Sequence, residues 1–274
     1  MCWKNKTYKW LFSVFFGLLI GCENPSLDQE CVEDNSAYES VEQEEAMDSL
    51  ENFSWKEEDT IELTCPLEDY IVEMGLIDIQ TLDTTIMVDL RYATTNNFLA
   101  LNMYGCLKRA YLQPQVAERL ATVQDYLTTH HPHLRLYVFD AVRPLNVQQK
   151  MWDSLDSIPV IERIKFVSNP KNGSIHNYGA AIDLSIYDTE KDTLLDMGAG
   201  FDDMRLIAYP KWEEKFLAEG ALTKEHIANR KLLREVMRKG GFWVLPTEWW
   251  HFNAYSRNQA KEMFELIDFN EDLK

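Results

Sequence analysis

Positive charge is scarce in this chain. Its 274 residues hold 27 Lys and Arg against 45 Asp and Glu, a net charge of −18. That balance leaves no basic footprint of the kind a nucleic-acid binder needs, so no nucleic-acid partner is expected. Apolar length is scarce too: the run from Trp10 to Ile20 is too short for an ordinary transmembrane helix. The five cysteines, Cys2, Cys22, Cys31, Cys65 and Cys106, have no zinc-ribbon spacing. No internal repeat is present, which excludes a repeat array. Aromatic residues are abundant instead, with 8 Trp, 12 Tyr and 13 Phe, enough for a proper core.

The negative charge is unevenly spread. Residues 1–22 carry Lys4, Lys6 and Lys9 and no acid; residues 23–59 carry 14 acids against the single Lys56, a net −13. Three lysines before an apolar run give the layout of a secretory signal. Its ending, Leu19-Ile20-Gly21-Cys22, resembles the bacterial lipoprotein processing box. By that resemblance, residues 1–21 are a signal peptide and Cys22 carries a lipid, which anchors the protein to a bacterial membrane on its extracytoplasmic side without spanning it. The segment 22–65 is acidic and poor in large apolar groups, so its composition predicts a disordered tether. Residues 66–274 form the expected folded domain. Once Cys2 leaves and Cys22 is lipidated, three cysteines remain, enough for at most one disulfide within the chain.

Hydrophobic periodicity outlines the folded part. Thr85–Tyr92 reads as a strand, with Ile86, Val88 and Leu90 on one face. Pro114 opens a helix with Val116, Leu120, Val123 and Leu127 in one stripe, ended by His130-His131-Pro132-His133. Leu134–Phe139 reads as a strand and Val147–Leu155 as a helix. Ala181–Tyr187 reads as a strand with Asp183 and Ser185 on its polar face. Thr223 caps a helix stopped by Gly240-Gly241, and short strands at Trp243–Leu245 and Trp249–Asn253 finish the domain. Helices and strands mix without strict alternation, which predicts a single α+β domain.

Two short stretches carry chemistry. In the first, His176 and Asp183 stand seven residues apart, a spacing that puts them on opposite faces of a straight strand about 23 Å apart. A shared ion therefore requires a bend, and Gly179 offers one. The second, Glu248-Trp249-Trp250-His251, sets a carboxylate and an imidazole in an aromatic run where unpaired polar groups are costly. Its spacing of three also demands a turn or bulge. Two imidazoles and one carboxylate with a position left for water is how a catalytic zinc is held, and Glu248 is free to carry a proton. Arg143, following a strand at Asp140-Ala141-Val142-Arg143-Pro144, either stabilises an oxyanion or pairs structurally with Asp140 or another acid. The histidines at 130, 131 and 133 fit a polar helix end, and His226 lies in a helix without a partner of its own.

The pattern Ser174-x-His176-x-x-Gly179-x-Ala181-x-Asp183 followed by Glu248-x-x-His251 resembles the signature of D-alanyl-D-alanine dipeptidases of the vancomycin-resistance type. These are zinc D,D-peptidases, a group with relatives in the Hedgehog signalling domain. Arg91–Phe98, Asp140–Pro144, Met197–Asp202 and Asn229–Leu233 are similar to further blocks of that family, in the same order. The resemblance implies a small, mostly antiparallel sheet with packed helices. It implies one Zn²⁺ per chain on His176, Asp183 and His251, with Glu248 as general base and proton donor. Arg143 would steady the tetrahedral intermediate; Tyr92, Ser174 and Asp202 would lie near a bound dipeptide.

The expected reaction is zinc-dependent hydrolysis of D-Ala-D-Ala, with a membrane partner through Cys22 and no oligomeric state specified. A D,D-carboxypeptidase acting on peptidoglycan stem peptides uses the same residues. A non-catalytic zinc-binding cell-wall module is the third reading, and it leaves Glu248 and Arg143 without a purpose.

Overall fold

The computed structural model describes residues 64–270. The apolar run at 10–20, Cys22, Cys31 and the acidic segment 23–59 lie outside the described residues. In chain order the elements are α1 (Pro66–Glu73), β1 (Ile77–Asp78), β2 (Met87–Val88), β3 (Tyr111–Leu112), α2 (Pro114–His130), β4 (Leu134–Asp140), α3 (Leu145–Asp153), α4 (Val160–Arg163), β5 (Ala181–Asp188), β6 (Thr193–Leu194), α5 (Glu213–Ala218), α6 (Lys224–Lys239), β7 (Trp243–Val244), β8 (His251–Asn253) and α7 (Arg257–Met263). No helix among the described residues is long and apolar enough to cross a membrane.

The main sheet runs β2-β4-β5-β8-β7, with β6 also paired to β5. Only β2 and β4 run parallel; the other pairings are antiparallel. The expected α+β fold with a mostly antiparallel sheet is what the chain adopts. Strand β5 is central and buried along nearly its whole length, including its polar residues Asp183 and Ser185. Polar side chains on a doubly covered strand require partners, and the functional site supplies those of Asp183.

Two helices buttress the sheet. Helix α2 buries Val116, Leu120, Val123 and Leu127, the stripe read from the sequence. Thr223 caps α6, its hydroxyl accepting from the His226 N–H, while Ile227, Leu233, Val236 and Met237 face inward. At the end of α6 the backbone presses on α2: a Cβ on Gly240 would stand 2.5 Å from Val123 Cγ2 and 2.7 Å from the Arg119 carbonyl oxygen. Only glycine fits that approach.

Two strands are shorter than their periodicity suggested. The stretch 85–92 is a strand only at Met87–Val88, and Arg91–Ala93 forms a 3₁₀ turn. Ile86 and Leu90 are buried, so the alternation is real. The strand nevertheless ends early, because the chain turns to carry Tyr92 into the site. Likewise β8 begins at His251 rather than Trp249, because residues 246–250 form the turn of the β7–β8 hairpin.

One disulfide, Cys65–Cys106, ties the start of α1 to a loop 41 residues later, with a Cα–Cα distance of 5.5 Å. Beside it the buried Glu68 carboxylate accepts from Lys108 N at 2.9 Å and from Tyr111 Oη at 3.2 Å. Closing a loop of 41 residues stabilises the folded state by about 4 kcal/mol on chain-entropy grounds. A Cys65→Ser/Cys106→Ser variant should therefore melt roughly 8–16 °C below the parent in thermal unfolding. An unchanged melting temperature would show that this corner contributes little.

Candidate metal centre

Three adjacent strands align the polar groups of the site. In the sheet register Asp140 of β4 lies opposite Asp183 of β5, and Asp183 lies opposite His251 of β8. Cross-strand partners point to the same face, so these three side chains form a row. The row depends on a bulge: the β4–β5 register shifts between Val138 and Asp140. Without the extra residue Asp140 would sit opposite Ile182 and point to the other side of the sheet.

His176 enters from a 3₁₀ turn, Ile175–Tyr178, that leads into β5. The expected bend is at Gly179, which closes the turn in a left-handed conformation with φ 62°. A Cβ there would also strike Leu76 Cδ2 at 2.7 Å. The turn is docked by backbone bonds, Arg143 N–H to the His176 carbonyl at 3.1 Å and Gln113 N–H to the Gly179 carbonyl at 3.0 Å.

The three side chains converge. His176 Nε2 lies 3.1 Å from His251 Nδ1. Asp183 Oδ1 lies 2.9 Å from His251 Nδ1 and 3.4 Å from His176 Nε2. Donors held ~2.0–2.1 Å from a tetrahedral ion stand about 3.3 Å from one another, so this triangle fits a zinc ion. The outer ring nitrogens fix the tautomers. His176 Nδ1 donates to the Ala141 carbonyl at 2.6 Å, and His251 Nε2 donates to Asn253 Oδ1 at 2.9 Å. Each imidazole thereby turns its other nitrogen to the shared point, where it offers a lone pair once unprotonated, the orientation a metal ligand requires. All three residues are buried. Burial would raise the Asp183 carboxyl, but the facing His176 and His251 override it and hold it well below the carboxylate range. Burial opposes charge on His251, yet its hydrogen bond to Asp183 pushes it up to about 9.

Glu248 comes from the hairpin turn just before β8. Its Oε2 stands 4.0 Å from His251 Nδ1, and its side chain is 32% exposed. Burial pushes this carboxyl up from its ordinary value; His251 opposes the shift and Asp183 reinforces it. A carboxylate so placed can accept a proton and give it back.

Arg143 forms the ion pair expected of one of its two readings. Its Nε donates to Asp140 Oδ2 at 2.9 Å, Nη2 donates to the same oxygen, and Nη2 lies 3.6 Å from Asp183 Oδ2. Its guanidinium stacks on the Tyr92 ring at 4.9 Å. The Tyr104 hydroxyl also lies close to this guanidinium. The ion pair with Asp140 aims the group.

Tyr92 Oη donates to both oxygens of Asp202, at 3.0 Å each. Asp202 has a left-handed backbone, φ 61°, on a loop that several side chains pin. Asn229 Nδ2 donates to the Asp196 carbonyl, Arg230 Nε to the Met197 carbonyl and Trp249 Nε1 to the Ala199 carbonyl. Burial raises the Asp202 carboxyl well above its ordinary value, with Asp183 adding to the shift. Ser174 is buried beside His176, its hydroxyl oxygen accepting from the His176 N–H at 3.4 Å.

All eight predicted site residues of the folded region line one cavity of about 170 Å³. That is small beside ordinary ligand pockets of ~300–1,000 Å³ and suits a small substrate. A larger cavity of about 600 Å³, against Leu145, Gln149 and Phe269, holds none of them. The histidines set aside stay apart: His130 Nδ1 bonds the Tyr126 carbonyl, and His226 Nε2 bonds Asp196 Oδ2. Sequence reasoning missed Asn253, although its position two residues after His251 on a strand places it on the same face. It also missed the Ala141 carbonyl, for which no side-chain signal exists.

A metal arriving at neutral pH must displace the proton that His251 holds. Zinc affinity measured by chelator competition should therefore rise about tenfold per pH unit from 7 towards 9 and flatten above that. A flat profile across this range would contradict the assignment of His251.

Known proteins resemble this chain in sequence. The D-alanyl-D-alanine dipeptidase of Escherichia coli (strain K12) is 29% identical over 180 residues, covering 65% of this chain and 83% of that protein. The D-alanyl-D-alanine dipeptidase of Enterococcus faecium is 26% identical over 194 residues, covering 66% and 92%. A solved vancomycin-resistance D,D-pentapeptidase in complex with Zn(II) is 14% identical over 56% of this chain and 78% of its own, with a TM-score of 0.33, a likeness too loose to build on. The peptidase M15 family, described as D-ala-D-ala dipeptidase, matches residues 72–268, nearly all of the described fold with every converging side chain inside it. On that match the chain belongs to the M15 family of D-Ala-D-Ala dipeptidases.

Proposed function

We propose that this protein hydrolyses the free dipeptide D-Ala-D-Ala in a zinc-dependent reaction. The observation that carries the reading is the convergence of His176, Asp183 and His251 with Glu248 and Arg143 on one small cavity. Bound by the three ligands, Zn²⁺ supplies a Lewis acid and makes a water nucleophilic at neutral pH. Glu248 takes the proton from the attacking water and returns it to the leaving amine, and its raised pKa suits both tasks. Arg143, held by Asp140 and Tyr92, presents its guanidinium to the oxygen on which negative charge develops. Asp202 faces the substrate's ammonium, a cation that compensates its half-buried carboxylate, and Tyr92 orients it. A cavity this small, with a half-buried acid for a free amine, favours the dipeptide over a longer stem peptide.

The protein is further proposed to act outside the cytoplasm, anchored through a lipid on Cys22, where peptidoglycan fragments are available. The basic and apolar residues before Cys22 support this, as does the Cys65–Cys106 disulfide, since such bonds persist in oxidising compartments. Recycling or scavenging of wall-derived dipeptide is the matching role.

Glu248→Ala should retain zinc and lose about 10²–10⁴-fold in kcat on D-Ala-D-Ala. Arg143→Ala should lose about 10²–10³-fold. Parental turnover in Glu248→Ala would remove the base from the mechanism. In cell fractionation, Cys22→Ser should move the protein from the membrane to the soluble fraction; unchanged membrane association would contradict the lipid anchor.

A further inference from the structure

The cavity has more charge than the proposed reaction uses. Among the described residues, two cations line it, Arg143 and Arg257. Arg143 is matched by carboxylates: two of its nitrogens bond Asp140, and Asp183 lies 3.6 Å away. Arg257 has no carboxylate within salt-bridge distance among the described residues. It is the first residue of α7 and is anchored by one nitrogen, Nη1, which donates to the Asn172 carbonyl at 2.8 Å and the Gly173 carbonyl at 2.7 Å. Those bonds fix the guanidinium beside Ser174 at the cavity wall and leave Nε and Nη2 without protein partners.

Three carboxylates, Asp183, Asp202 and Glu248, line the same cavity. Asp183 is matched by the two imidazoles. A free dipeptide carries one ammonium and one carboxylate. If Asp202 receives the ammonium, the carboxylate requires a cation not already neutralised, and Arg257 meets that condition. A guanidinium with two adjacent N–H groups free matches the two oxygens of a carboxylate.

We propose that Arg257 binds the C-terminal carboxylate of the substrate and so makes the site select peptides with a free C-terminus. This rests on the dipeptidase reading and specifies its substrate. The carbonyls at 172 and 173 would then do for Arg257 what Asp140 does for Arg143: hold the side chain so that its remaining donors are already aimed.

The test compares D-Ala-D-Ala with its C-terminal amide, using the zinc-loaded full chain and its Arg257→Gln and Arg257→Lys variants. The ratio of kcat/KM for acid over amide cancels any difference in the amount of folded enzyme. The parent should prefer the acid by about 10- to 100-fold, nearer the lower figure because Arg257 is exposed. Arg257→Gln should bring the ratio close to one, mainly through KM, and Arg257→Lys should restore part of it. A role confined to bracing the turn at 172–174 would lower both substrates together, so a parental ratio in Arg257→Gln overturns the proposal. Calorimetric binding of acid and amide to the parent and to Arg257→Gln separates the two readings. A preference in binding that Arg257→Gln abolishes, without turnover by the parent, would leave carboxylate recognition standing and remove the hydrolase. Turnover with a parental ratio in the variant would do the reverse.

Discussion

The register of three neighbouring strands governs this molecule. Asp140, Asp183 and His251 share a row only because β4 contains a one-residue bulge and β8 pairs with β5 in one particular alignment. A slip of one residue in either ladder would turn a ligand, or the acid that holds Arg143, to the opposite face. Burying three polar side chains at one point is costly unless each has a partner. The outer hydrogen bonds of the imidazoles to Ala141 and Asn253 reduce that cost and orient the rings. The remaining inward groups, two nitrogen lone pairs and a carboxylate oxygen, are compatible with one another only around a shared cation or proton.

The rest of the fold supports that row. Helix α6, seated against α2 by Gly240, braces the loop that carries Asp202 through Asn229 and Arg230. The left-handed Gly179 turns His176 back towards β5. The β7–β8 hairpin sets Glu248 ahead of His251. Each device is local and small, yet the side chains they place, Asp202, His176 and Glu248, line the same cavity. Its charges are arranged by purpose in the proposed reaction: imidazoles around Asp183, Arg143 held from behind by Asp140, and Glu248, Asp202 and Arg257 for a zwitterion and its reaction.

Much of this was legible in the sequence, for reasons specific to particular residues. Helices α2 and α6 were readable because each combines a 3.6-residue apolar stripe with a strong boundary, Pro114 in one and Thr223 with Gly240-Gly241 in the other. The need for a bend between His176 and Asp183 followed from strand geometry alone, and Gly179 was the evident place for it. The early end of the strand at 87–88 was not readable, because Ile86, Val88 and Leu90 alternate whether or not the ladder continues. The β4 bulge left no mark in composition, and Phe139 is an ordinary strand residue. Arg143 could be narrowed to two roles; the structure shows the bond to Asp140, and the oxyanion role belongs to the proposed reaction. Arg257 carried no signal, since its significance depends on backbone carbonyls of a distant turn.

The central claim is that two nitrogens and one oxygen from His176, His251 and Asp183 hold a single zinc ion. Zinc K-edge X-ray absorption on the full chain loaded with one equivalent tests it most directly. The account predicts a shell of nitrogen and oxygen donors at ~2.0–2.1 Å, with imidazole scattering from two rings and no sulfur at ~2.3 Å. A sulfur shell, or scattering from a number of imidazoles other than two, would contradict it.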